Sequence, residues 1–262
     1  MITIKNYALP NTLEEAYEIL NEKRNNVILG GCAFLRMGSK KIETAICLSK
    51  LSLKYIDENE KEIEIGAMTT FREIETSSVL KKYFNGILPK SVENIVGIQF
   101  RNVVTVGATV YSRYGFSDFL TALLSLDADV LLYHQGRISL EEYLEKGSKK
   151  DLLVKVIIPK TSRKAAFQMM RNSSSDYAIL NVAVSNKEGD LRIVVGARPN
   201  RGKIAKEASL YLSKSNQSIE EIEKAAWMAS EELSFGSNMR GSKEYRQAIC
   251  KVLVKRAIME VL

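Results

Sequence analysis

At 262 residues, with 45% hydrophobic and 26% charged content, the chain is long enough for one large domain or two modest ones. It carries no apolar run of about eighteen residues that could span a bilayer. The net charge of +7 is scattered over pairs such as Lys40-Lys41, Lys81-Lys82 and Lys149-Lys150, which speaks against a nucleic-acid-binding stripe. Cys32, Cys47 and Cys250 are odd in number and far apart, which excludes a disulfide framework and a four-thiolate cluster within this chain; with no signal-peptide pattern in MITIKNYALP, the expected compartment is the cytoplasm.

In chain order, Thr12 followed by Glu15 signals a capped helix with Leu13, Ala16, Tyr17 and Leu20 on one face, suited to covering a sheet. Val27, Ile28 and Leu29 read as a short buried strand running into Gly30-Gly31, where a tight loop begins. Residues 44–48 and the alternating Ile63 and Ile65 predict strands, with a polar turn at residues 57–61. Thr70 with Glu73 predicts a short helix, and further helical segments are expected near residues 91–95 and 117–126. Residues 130–134 and 137–140, around Gln135-Gly136, predict a hairpin; its His134, the single histidine, reads as a turn-flanking residue rather than a ligand.

Residues 152–159 predict a buried strand, and the polar run 160–164 marks a domain boundary. Beyond it, residues 165–170, 177–185 and 191–197 predict three strands, the last two joined by Lys187-Glu188-Gly189-Asp190. Ser218 with Glu221 caps a helix reaching residue 233, and residues 243–262 predict a terminal amphipathic helix. The fold class is α+β, a domain of about 160 residues followed by a smaller sheet-plus-helices domain.

Two loops carry candidate chemistry. In VILGGCAF, residues 27–34, two glycines and small residues after a strand let backbone N–H groups converge on a phosphate, although such a pair also makes a plain turn. In Thr105-Val106-Gly107-Ala108-Thr109, hydroxyls and small residues follow an apolar run; together the two loops can hold a diphosphate with hydroxyls and main-chain donors. Neither has the spacing of the G-x-G-x-x-G fingerprint or the P-loop. Asp118, at a helix start, either satisfies first-turn N–H groups or meets a ligand. With its single histidine read as turn-flanking, no Ser/His/Asp or Cys/His constellation is credible and no carboxylate pair stands out, so redox activity requires a cofactor.

The stretches VILGGCAFLRMG, QFRNVVTVGATVYSRYGFSDFLTALLSLDADV and AFQMMRNSSSDYAILNVAV resemble the FAD-binding subunit of molybdenum hydroxylases, the xanthine dehydrogenase and carbon monoxide dehydrogenase family. The resemblance is collinear over most of the chain. It implies a two-part FAD-binding domain of the vanillyl-alcohol-oxidase (PCMH-like) type over residues 1–160. A C-terminal domain of the CO dehydrogenase flavoprotein type, with a three-stranded sheet and helices, would occupy residues 161–262.

The family's A-G-G loop falls on Leu29-Gly30-Gly31-Cys32-Ala33, flanked by Val27, Ile28 and Phe34, and its T-I-G-G-N loop on Thr105-Val106-Gly107-Ala108-Thr109. Both are thereby implied as diphosphate contacts. Asp118 is implied as a hydrogen-bonding cofactor contact, Leu153 as a flavin contact, and Gln168 as the residue standing where many members place a flavin-facing lysine. Ala108 replaces the loop's second glycine, Thr109 its asparagine, and Gly115 a common proline. The implied function is an electron-transfer subunit, passing electrons from a 2Fe–2S partner, fed by a molybdopterin subunit, through FAD to NAD or another acceptor. The alternative is a non-catalytic scaffold subunit of such a complex with weakened FAD binding. No nucleic acid and no membrane span are implied.

Overall fold

The computed structural model describes residues 1–147 and 149–262. From the N-terminus run β1 (Thr3–Ala8), α1 (Leu13–Glu22), β2 (Val27–Leu29), β3 (Lys41–Cys47), β4 (Ile56–Glu58) and β5 (Glu62–Gly66). Five short helices follow, α2 (Phe71–Thr76), α3 (Ser78–Lys82), α4 (Ile87–Glu93), α5 (Ile98–Arg101) and α6 (Val106–Ser112), and then α7 (Asp118–Ser125). Next come β6 (Asp129–Leu132), β7 (Gly136–Ser139), α8 (Leu140–Lys146) and β8 (Leu153–Pro159). The chain closes with β9 (Lys164–Arg171), β10 (Ala178–Lys187), β11 (Asp190–Gly196), β12 (Lys203–Ile204), α9 (Lys206–Lys214), α10 (Ile219–Glu232) and α11 (Lys243–Val261). These elements gather into two compact units that are not consecutive stretches: Met1–Glu73, Gly97–Ser112 and Asp129–Ile158 in the first, Ile74–Val96, Arg113–Ala128 and Pro159–Leu262 in the second.

The first unit holds two sheets. A parallel sheet of order β1-β3-β2 sets Leu29 opposite Cys47. Helix α1 starts as its capping box dictates: Thr12 Oγ1 accepts from the Glu15 N–H, and the Glu15 carboxylate reaches back to the Asn11 N–H. Its Ala16 and Leu20 pack with Ile46, Leu48, Leu53 and Leu152. The second sheet has the order β4-β5-β8-β6-β7. Period-two alternation buries Ile63 and Ile65 completely, while Glu64 turns to Lys155 at 2.6 Å. The β6–β7 hairpin is fixed by Asp151, whose carboxylate accepts from the N–H groups of His134 and Gln135; the His134 ring stacks on Tyr17 at 5.5 Å.

The second unit is built on an antiparallel sheet of order β12-β11-β10-β9. The three long strands follow the sequence pattern. The fourth, β12, is two residues long and adds to the three-stranded sheet expected, because a run that short carries no alternation to read. Helix α9 likewise escapes sequence reading, since its N-cap is Ala205, which has no side chain to bond the first turn. One face of the sheet, with Leu180, Val182, Val184, Ile193 and Val195, buries against α9, α10 and α11 through Ala208, Leu212, Ala225, Ala229, Leu253 and Ala257. The opposite face carries Asn181 and Ser185 toward α7, where the Ser185 hydroxyl donates to the Ser125 carbonyl at 2.6 Å. Covering on both faces explains why the middle strand is buried from Ala178 to Ser185.

Candidate cofactor site

In the first unit, the chain leaves β2 and turns through Gly30, Gly31, Cys32 and Ala33 into a short 3₁₀ turn, Leu35–Met37. Gly31 (φ +76°) and Cys32 (φ 58°) both stand in the left-handed region, and Phe34 returns to right-handed geometry at φ −90°, ψ −31°. Such a change of hand brings successive N–H groups toward one side. Among the described residues no acceptor takes the N–H of Gly31, Cys32 or Ala33. A side chain at Gly31 is excluded twice over, by its φ and because a Cβ would overlap the Val103 carbonyl oxygen and lie 2.7 Å from its carbon. The Cys32 thiol is pushed up by burial and by neighbouring Cys47, so it stays neutral at pH 7 and adds no negative charge beside the open donors.

The second loop has the opposite character. Residues Val106–Ser112 form α6, and the N–H groups of its start are spent within the chain. Val106 donates to the Thr69 carbonyl at 2.9 Å, Gly107 to the Ala67 carbonyl at 2.8 Å, Ala108 to Thr105 Oγ1 at 3.3 Å and Thr109 to the Thr105 carbonyl at 3.1 Å. The Thr109 hydroxyl donates to the same Thr105 carbonyl at 3.0 Å. Main-chain donation, which the sequence pattern expected here, is therefore already used internally at Val106, Gly107, Ala108 and Thr109. What this loop offers is closeness: a Cβ on Gly30 would meet the Ala108 methyl at 2.7 Å and Thr105 Oγ1 at 3.1 Å, and one on Gly107 would meet the Ala67 carbonyl oxygen at 2.7 Å. Ala108 has the right-handed backbone of α6, so its methyl is accommodated without strain.

In the second unit, Asp118 begins α7 but does not cap it; the cap is Ser117, whose hydroxyl accepts from the Leu120 N–H at 3.2 Å. The buried Asp118 carboxylate is turned aside to an ion pair with Arg171, while Asn181 Nδ2 donates to its Oδ1 at 2.5 Å. Burial pushes the Asp118 carboxyl up to about 6, against the pull of the Arg171 cation and the Asn181 amide. Arg171 and Asn181 were absent from the sequence reading. Both lie inside a quoted stretch, yet no spacing rule joins residue 118 to residues 53 and 63 positions away. Beside this network, Phe116 stacks on Tyr114 at 5.0 Å and tilts against Tyr177 at 4.6 Å.

Leu153, in the first unit, is buried on β8 opposite Leu132. Gln168, on β9 of the second, donates its amide to Glu260 at 2.9 Å, a carboxylate that also takes Lys90. Gly115 is required by packing, because a Cβ there would meet the Asn200 carbonyl oxygen at 2.6 Å.

The donor set of the first loop suits a phosphate: three open N–H groups on a backbone that only glycine permits at Gly31, with small neighbours at Gly30 and Ala33. These residues fit the diphosphate of a dinucleotide such as FAD.

Comparison with known proteins agrees. Residues 3–161 match the family model of the FAD binding domain in molybdopterin dehydrogenase, and residues 165–261 that of the CO dehydrogenase flavoprotein C-terminal domain. The chain is similar to the nicotine 6-hydroxylase medium subunit of Paenarthrobacter nicotinovorans, at 25% identity over 97% of this chain and 96% of the relative. It is also similar to the glyceraldehyde dehydrogenase medium chain of Sulfolobus acidocaldarius, at 22% identity over 97% of each. Among solved structures, a chain of the Cu,Mo-CO dehydrogenase superposes with a TM-score of 0.90 at 22% identity, covering 100% of this chain and 98% of that one. The chain belongs to the family of FAD-binding medium subunits of molybdenum hydroxylases, the flavoprotein components of these oxidoreductases.

Proposed function

We propose that this subunit passes electrons from a 2Fe–2S partner subunit, supplied by a molybdopterin subunit, through FAD to NAD or another acceptor, within a heterotrimer of the xanthine dehydrogenase type in the cytoplasm. The observation that carries the reading is the set of open main-chain donors at Gly31, Cys32 and Ala33 in a chain that matches FAD-subunit relatives over nearly its whole length. The three free cysteines, Cys32, Cys47 and Cys250, are fewer than the four thiolates of an iron–sulfur centre, which supports one supplied by another chain. The nicotine 6-hydroxylase relative supports a nitrogen heterocycle as the substrate of the complex. The matched spans 3–161 and 165–261 support a FAD-binding domain over residues 1–160 and a C-terminal domain over residues 161–262.

Bound FAD couples one-electron carriers to two-electron acceptors. This chain's part is to hold and orient it. Gly31, Cys32 and Ala33 donate N–H groups to the diphosphate, with Leu29, Gly30 and Phe34 shaping the turn. Thr105, Gly107, Ala108 and Thr109 close the loop from the other side by packing. Asp118 would accept a hydrogen bond from the cofactor, and Val27, Ile28, Val106, Leu153 and Gln168 are the remaining candidate contacts. The test is the absorbance spectrum of the purified protein with acid release and identification of the flavin, followed by anaerobic reduction through the co-expressed partner subunits and addition of NAD. FAD recovered near one per chain, reduced through the partners and reoxidised by NAD, is the expected result; a colourless protein that takes up no added FAD overturns the reading.

A further inference from the structure

The Asp118 carboxylate is 4% exposed and sits in a chain of side chains that does not end at its ion pair. On one side, the Arg171 guanidinium that meets it also donates to the carbonyls of Asp176 at 2.9 Å and Asn94 at 3.1 Å. The Asp118 carboxylate and two loop carbonyls therefore fix its position. On the other side, the Asn181 amide turns its NH2 to Asp118, and its Oδ1 lies 2.9 Å from the Thr121 hydroxyl, whose one proton is shared with the Ser117 carbonyl at 3.2 Å. Gly196, the register partner of Asn181 on β11, leaves room for this pair; a Cβ there would overlap both Thr121 Oγ1 and Asn181 Oδ1. Each Asp118 oxygen takes one donor from the chain, and a carboxylate oxygen has two lone-pair directions, so acceptor capacity is left over.

This geometry is costly as mere structure. A buried carboxylate paired with one cation is commonly matched or bettered by apolar residues of the same volume, and the capping role that its helix position offers is taken by Ser117. We propose that Arg171 and Asn181 are positioning residues that keep Asp118 ionised and aimed as an acceptor for a hydroxyl of FAD. The inference rests on the reading of Asp118 as a cofactor contact. Among the described residues the charged group paired with Asp118 is Arg171 from β9, whose guanidinium also meets the carbonyls of Asp176 and of Asn94, just past α4; Asp176 in turn pairs with Arg240 at 2.8 Å, and β10 contributes the neutral Asn181. A hydrogen bond to an ionised acceptor is worth about 1.5–3 kcal/mol, roughly a 10- to 100-fold change in affinity.

The experiment is titration of the flavin-free full-length protein with FAD, followed by flavin fluorescence, from pH 5 to pH 8. With a carboxyl near 6 in the free protein, affinity is expected to fall about tenfold as the pH drops from 7 to 5. Asp118→Asn should bind about tenfold or more weakly at pH 7 and lose that pH dependence. Arg171→Gln should move the midpoint up by about one unit or more, because the cation that favours the charged form is gone. Arg171→Lys keeps the charge, so its midpoint should stay in place while affinity falls a few-fold from loss of the planar fork. If Asp118→Asn binds like the parent protein, the contact reading fails. If that variant is weakened but Arg171→Gln keeps the parent midpoint, positioning by Arg171 is overturned. Should the Gln variant not fold, an Arg171→Lys variant that binds FAD with the parent's affinity overturns it equally.

Discussion

The two small-residue loops of the first unit look alike in sequence and differ in what their backbones have left to give. Residues 30–33 turn through two left-handed positions and leave the N–H groups of Gly31, Cys32 and Ala33 without an internal acceptor among the described residues. Residues 105–109 enter a helix, and the N–H groups of Val106, Gly107, Ala108 and Thr109 all bond within the chain. Glycine serves both loops, for different reasons. At Gly31 it permits the conformation itself; at Gly107 it permits contact with the Ala67 carbonyl. A paired glycine-loop pattern therefore divides into a loop with open main-chain donors and a loop whose main-chain donors are used within the chain.

The largest expected effect comes from breaking the donor loop. Gly31→Ala combines a disfavoured φ with a collision at Val103 and should cost about 3 kcal/mol or more in unfolding free energy, with the flavin-to-protein ratio falling toward zero on purification. Retention of stoichiometric FAD by this variant would contradict the assignment of the donor loop. Ala108→Gly tests the packing loop in milder form. Glycine in a helix costs about 1 kcal/mol of stability, and FAD affinity is expected to stay within about threefold because no donor is changed. Thr105→Val removes the acceptor for the Ala108 N–H at constant shape and should cost about 1 kcal/mol, again with near-parental affinity. A tenfold loss of FAD affinity in Thr105→Val, at unchanged fold by circular dichroism, would mean that the second loop meets the cofactor through its hydroxyl.

Much of the fold was legible because its signals are local. The Thr12–Glu15 box, the alternation at Ile63 and Ile65, and the Glu188-Gly189 turn each state their structure within a few residues. Elements that the sequence does not announce include β1, exposed along most of its length, β12 at two residues, and α9 with its silent Ala205 cap, while the Ser139–Glu142 cap of α8 is masked by the strand pattern of residues 137–140. At the site, small residues announced both loops. The division of labour between them did not show, because it depends on the carbonyls of Ala67 and Thr69, some forty residues upstream in the chain. The Asp118 network was hidden for the same reason: the helix position of Asp118 suggests a cap, and only tertiary structure shows Ser117 taking that role while Arg171 and Asn181 take the carboxylate.

The most direct test is residue-resolved amide hydrogen exchange of the flavin-free protein with and without FAD. The donor-loop account predicts that exchange at Gly31, Cys32 and Ala33, fast in the free protein, slows on binding, while Val106, Gly107, Ala108 and Thr109 are already protected and change little. Unchanged exchange at Gly31, Cys32 and Ala33 in the FAD-bound protein, with new protection confined to the second loop, would contradict it.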